Sequence, residues 1–190
     1  MSIATDIAER LANMPEASAV SMRVSINTYF DVIQGLLDNF LKLKNLEAIY
    51  ITCTIPSAPI INALQMLEID LSKVYFVDCV SNVLMSKEKK NKHVYYVESP
   101  TMLENIIIKV EYLHKKTGGG KKLVLLDSIN SLAIHNNPKI LSEFLHILVN
   151  NLRAKNAYSV IFSLAEQSSE EITNMTNFVC DDTIIVEESE

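Results

Sequence analysis

Seven short apolar runs rich in Val, Ile and Tyr alternate with longer stretches whose apolar residues fall three and four apart, and this limits the chain to few folds. The runs are Ala19–Val24, Ala48–Thr52, Val74–Val77, Val94–Val97, Leu123–Leu126, Ser159–Leu164 and Thr183–Val186. Between them, Val32, Ile33, Leu36, Leu37, Phe40 and Leu41 form one helical stripe. Leu103, Ile106, Ile107, Val110 and Leu113 form a second; Leu141, Phe144, Leu145, Leu148 and Leu152 form a third. A run of period two feeding a stripe of period 3.6 is a strand–helix crossover unit. Repeated, it predicts a mainly parallel sheet with helices on both faces, a three-layer α/β/α architecture.

Local signals mark the ends of these elements. Ser99-Pro100 and Asn137-Pro138 each set a capping residue before proline, which predicts helix starts. Ser168 and Glu171 have capping-box spacing. Gly118-Gly119-Gly120 reads as the exit from the second stripe. The first fourteen residues predict an amphipathic helix, laid on the sheet or on a neighbouring subunit, with Pro15 as its break. No linker divides the 190 residues, so a single domain over 1–190 is expected, with residues 1–15 as an N-terminal helical extension.

Composition removes several classes of function. A net charge of −6 argues against general nucleic-acid binding, which depends on basic surface. The basic run from Lys87 to Lys92 reads as a solvated loop. No apolar stretch is long enough to cross a bilayer, and the N-terminus lacks the form of a secretory signal. Cys53, Cys79 and Cys180 are too scattered for a disulfide scaffold and have no zinc spacing. Cys53 and Cys79 end apolar runs and read as small core residues. No two of the four histidines pair on a helix face to suggest a metal. A reducing, cytoplasmic setting follows as the expectation.

In an open parallel sheet, ligands sit beyond the carboxyl ends of the strands. A polyphosphate there needs glycines that let several N–H groups converge, a lysine, and a hydroxyl for magnesium. After the first run the chain reads Val24-Ser25-Ile26-Asn27-Thr28-Tyr29, without glycine or lysine. Asn27 and Thr28 are in place only to cap the following helix. Thr117-Gly118-Gly119-Gly120-Lys121-Lys122 has glycines and lysines, but it lies between a helix and the next strand, at the wrong end of the sheet. Asp127 ends the buried run KKLVLLD and is followed by Ser128. It reads either as a magnesium-associated carboxylate or as a capping acid bonded to amides near Asn130. Asp78, ending VYFVD, reads as a loop-capping acid. Ser163 and Gln167 read as the end of their strand.

The order of these elements, with AIYITCTIPSAPIINALQMLEI at Ala48–Ile69, LVLLDSINSL around Asp127-Ser128, and NFVCDDTIIVEE near the end, resembles KaiC-like ATPases of the RecA superfamily, small archaeal members in particular. The resemblance runs from about Ala19 onward. It implies a RecA-like (P-loop NTPase-type) sheet, with Asp127 and Ser128 on the magnesium-site strand. The family's acidic pair falls near Thr54-Ile55, which has no acid, and its phosphate loop (Walker A) falls at Ser25–Thr28, where it is degenerate. Loss of an activating base costs about two to four orders of magnitude in rate, and loss of the phosphate cradle removes the electrostatic clamp of phosphoryl transfer.

The resemblance with these departures implies a pseudo-ATPase. It is expected to be no enzyme, without cofactor, and to act by protein–protein contact in a regulatory or scaffolding role, through a partner or by self-association into an oligomer. The alternative is an atypical ATP site with magnesium on Asp127, formed by Asn27, Thr28, Asp127 and Ser128. A receiver-like switch would need an acidic pair after the first strand; a dinucleotide site would need a glycine-rich turn there. Neither is present.

Overall fold

The structure is a computed structural model that describes residues 2–84 and 91–186. Strands β1 (Ala19–Val24), β2 (Glu47–Thr52), β3 (Val74–Asp78), β4 (Val94–Tyr96), β5 (Lys122–Asp127), β6 (Tyr158–Leu164) and β7 (Asp182–Val186) form one sheet in the order β4-β3-β2-β5-β6-β1-β7. Every pairing is parallel. Each of the seven apolar runs contributes a strand, whose backbone N–H and C=O groups are satisfied by its neighbours in the sheet.

Seven helices cover the sheet among the described residues. They are α1 (Ile3–Ala12), α2 (residues 29–44), α3 (Ser57–Met66), α4 (Leu103–Lys116), α5 (Ile129–His135), α6 (Pro138–Ala154) and α7 (Glu170–Val179). The period of two along each strand divides the core. Val20, Met22, Tyr50, Leu123, Leu125 and Phe162 pack under α2 and α3, in a cluster that the buried residues of α1 extend. Ala19, Ile49, Ile51, Val124, Leu126 and Ile161 pack under α4 to α7. This is the expected RecA-like three-layer sandwich. Among the described residues no helix is long and apolar enough to cross a membrane.

The N-terminal helix differs from expectation in where it docks. Helix α1 lies on α2, burying Ala4, Ile7, Ala8 and Leu11. Gly35 permits the approach, since a Cβ there would stand 2.7 Å from the Ala4 carbonyl oxygen. At Gly35–Phe40 the α2 backbone winds as a π-helix.

Asn137 caps α6 as expected, its side chain accepting from Lys139 N with Pro138 in the first turn. Two other starts are corrected. Ser99 and Pro100 lie in a turn, with Ser99 Oγ accepting from Thr101 N and Ser99 O from Met102 N, so α4 begins three residues after the proline. At α7 the cap is Ser169, not Ser168; its hydroxyl accepts from Ile172 N, which moves the start away from capping-box spacing with Glu171. Of the basic run, Asn91 and Lys92 are exposed, and Lys87–Lys90 lie outside the described residues, as do the last two glutamates of NFVCDDTIIVEE.

The glycine-lysine stretch is a connecting loop. Gly118 and Gly119 have positive φ and close the end of α4, with Gly119 N donating to His114 O. It enters β5 at its amino end, where buried Lys122 pairs with Glu47 at 2.8 Å.

Candidate functional site

Helices that follow β1 and β2 pack on one face of the sheet, and those that follow β5 and β6 pack on the other. The carboxyl ends of these four strands therefore border a crevice, the usual ligand position in such a sheet. Asp127 stands at its centre, 3% exposed.

Two phenols close over that carboxyl group. Tyr29 leaves the first turn of α2 and donates to Asp127 Oδ2. Tyr50, buried on β2 and stacked on Phe76, donates to the same oxygen at 2.5 Å. The two hydroxyl oxygens are 2.6 Å apart. Both hydroxyls are thus turned to one carboxyl oxygen. Burial raises the Asp127 pKa above the ordinary carboxylate value, against the lowering effect of the two hydroxyl donors. Burial, then the nearby carboxylate, raises both tyrosines well above the usual phenol range. The expected amide partners near Asn130 are not those of Asp127. Asn130 instead ties the first turn of α5 to the end of β6 and the turn after it, accepting from Leu164 N and donating to Gln167 O, both at 2.9 Å.

The turn after β1 is satisfied from within the chain. Ile26 N donates to Glu166 Oε1 at 2.9 Å, so a carboxylate already holds the amide that would face an anion. Thr28 occupies the N-cap position of α2 but makes no side-chain cap, since its hydroxyl lies 3.1 Å from that of Ser25. Asn27 is exposed. Across the crevice, Thr54 Oγ1 lies 2.7 Å from Ser131 Oγ and 3.3 Å from Ser128 Oγ. Thr54 and Ile55 supply no proton acceptor of carboxylate strength.

Of the four residues singled out in the sequence, Asp127 alone lines the remaining cleft. Its other walls are Ile26, Tyr29, Phe30, Thr54, Ile55 and Leu164. Tyr29 and Tyr50 were not legible as site residues, because a tyrosine at helical spacing or inside a strand looks like core. As arranged, these groups do not fit a magnesium–triphosphate. A buried carboxyl group closed over by two phenols has no open side for the water shell of a cation, and a glycine-free turn with its amide already engaged offers no cradle.

Asp78 is the capping acid that the sequence predicts. It accepts from Ser57 N, Val80 N, Ser81 N and Ser81 Oγ at 2.7–2.9 Å. Burial pushes its pKa up, and these donors more than reverse that, leaving it below the ordinary value. Cys53 and Cys79, as expected, are buried at strand ends. Unlike their sequence spacing, the fold brings them together: a hydrogen bond between the thiols, then burial, raises the Cys53 pKa.

The state of Asp127 is testable through pH. An acid whose folded pKa is raised contributes stability that is fully present below its unfolded pKa and is lost as pH rises through the folded one. The wild type is therefore expected to lose stability relative to Asp127→Asn from about pH 4 upward. Urea unfolding of both proteins across pH checks it; a difference independent of pH would contradict a raised Asp127 pKa.

No curated protein matches this chain. Among solved structures, it is similar to the KaiC-like protein PH0186 from the hyperthermophilic archaeon Pyrococcus horikoshii OT3. The TM-score is 0.62 at 14% identity, covering 90% of this chain and 72% of that one. It is also similar to the uncharacterized protein PH0321 from Pyrococcus horikoshii, solved in complex with an unknown peptide. There the TM-score is 0.72 at 12% identity, covering 97% and 83% of the two chains. At these identities the likeness is one of fold. The KaiC ATPase family model matches residues 38–190, so the Ser25–Thr28 turn lies outside the matched part. With most of its length matched by that model, the chain belongs to the KaiC ATPase family.

Proposed function

We propose that this protein is a KaiC-family member that does not hydrolyse nucleotide and acts by binding protein, through self-association or a separate partner, in a regulatory or scaffolding role. The observation that carries the reading is the pair of hydroxyls, from Tyr29 and Tyr50, seated on Asp127, the one strand-end carboxylate that would serve a magnesium ion. The glycine-free turn and the engaged Ile26 amide support it. A peptide accompanies one structural neighbour, which is in keeping with a protein-binding use of this fold. Three scattered cysteines without a disulfide framework in the sequence support a reducing, cytoplasmic setting.

Calorimetric titration with magnesium and ATP at millimolar concentration is expected to give no binding heat, and a phosphate-release assay no turnover. Saturable magnesium-dependent binding would replace this reading with the atypical nucleotide site. Light scattering on the eluted protein tests the other half: a dimer or larger assembly, or a stoichiometric complex with a purified partner, is expected. A strict monomer without a partner counts against it.

A further inference from the structure

The sheet ends in two edge strands that differ in how they meet solvent. At one edge β4 is three residues long and guarded by lysines. Lys92 is exposed two residues before it, and Lys116 Nζ donates to the Tyr95 hydroxyl at 2.5 Å and stands 5.0 Å from the centre of that ring. Short length and lysine are the usual means of keeping an edge from pairing. At the other edge β7 has five residues, Asp182-Thr183-Ile184-Ile185-Val186, with no lysine, proline or glycine. Its one strand neighbour among the described residues is β1.

The backbone of β7 is open on its far side. Ile184 is fully buried, so its N–H and C=O face β1. These groups point alternately to the two sides of a strand, which turns those of Thr183 and Ile185 outward. Thr183 N is engaged by Asp182 Oδ1 at 2.8 Å. Ile185 is 50% exposed, so its N–H and C=O and the C=O of Thr183 remain for a further strand. The edge is also held in place: Thr183 Oγ1 donates to Asn177 Oδ1 at 3.1 Å, tying β7 to α7.

Side chains and charge select what could pair there. Ile185 lies on the same face as its register partner Arg23, while exposed Asp182 lies on the opposite face. From Asn156 to the C-terminus the chain carries eight acidic residues and no lysine, arginine or histidine. Among the described ones only Asp181 is in an ion pair, with Arg153 at 2.8 Å. Such a surplus disfavours a second copy of the same edge and favours a cationic partner.

We propose that β7 is a docking edge for an extended, cationic segment of another protein, which joins the sheet as a further strand. Its backbone bonds to Thr183 O, Ile185 N and Ile185 O, with apolar side chains beside Ile185 and lysine or arginine beside Asp182. The inference rests on the protein-binding reading and names the partner's chemistry, yet the two fail separately. Saturable magnesium–ATP binding by a protein whose β7 still takes the probe below would remove the functional reading alone. Self-association through another face, with β7 inert, would remove this inference alone.

The probe is a capped hexapeptide alternating lysine and valine, titrated into the full chain at low salt with backbone amide NMR as the readout. Saturation near about 1 mM is expected, with shifts centred on Thr183, Ile185 and Val186. Glutamate in place of lysine weakens binding about tenfold. Ile185→Pro removes an outward N–H and leaves the bonds to β1 in place, as proline on an edge strand does; it is expected to keep the fold and abolish the shifts. Asp182→Lys, at an exposed position, weakens binding about fivefold. Equal binding of the lysine and glutamate peptides, shifts centred elsewhere, no binding, or binding unchanged in either variant would overturn the proposal. So would a wild-type dimer that Ile185→Pro converts to a monomer, which would make the occupant a second copy of this chain.

Discussion

Asp78→Ala is expected to lose about 4 kcal/mol of stability, measured by urea unfolding. The carboxylate gathers three backbone amides and a hydroxyl at the ends of β2 and β3. Ser57 N opens α3, Val80 N and Ser81 N turn the chain after β3, and the acid itself is fully buried. Alanine leaves those donors facing protein, each costing about 1–3 kcal/mol when water cannot reach it, less at the partly exposed Val80. Asp78→Asn keeps one acceptor oxygen and should fall between. The pH dependence carries the opposite sign to that of Asp127. A depressed folded pKa contributes stability that is present above the unfolded value and lost as pH falls through the folded one, so the cost of Asp78→Ala shrinks below about pH 4. A loss under 1 kcal/mol at neutral pH would mean that Asp78 only decorates the turn.

Tyr50→Ala is expected to cost a similar amount, about 4 kcal/mol, for a different reason. Its ring is fully buried between β2 and its neighbours and stacks on Phe76 with centroids 5.3 Å apart. Truncation leaves a cavity in the sheet's core and takes one donor from Asp127. Tyr50→Phe separates the two effects, since it keeps the ring and removes only the hydroxyl; a loss of about 1 kcal/mol is expected. If Tyr50→Phe proved as costly as Tyr50→Ala, the hydroxyl would outweigh packing, and the Tyr29–Tyr50–Asp127 contact would be the main tie between α2 and the sheet. Chemical denaturation of both variants at neutral pH makes the comparison.

Much of the framework is legible in one dimension. A run such as LVLLD cannot be solvated, and its length suits a strand in a sheet covered on both sides, so the seven strands follow from local periodicity. Caps are legible where the side chain and the first turn agree, as at Asn137-Pro138. They slip where neighbouring residues compete, as Ser168 and Ser169 do. Docking is not legible. Nothing local says that α1 lies on α2 rather than on the sheet, because the contact depends on the missing Cβ of Gly35 meeting a backbone thirty-one positions earlier.

The residues after β1 establish by themselves that no glycine-rich, lysine-bearing turn follows the opening strand, because composition of a four-residue turn bounds the backbone angles and charges it can present. Asp127 at a strand end is equally plain. Its raised pKa, its two phenolic partners, the apolar cleft above it and the meeting of Cys53 with Cys79 were decided only by tertiary structure. Each depends on residues tens of positions apart, whose distances are set by sheet order and not by spacing along the chain.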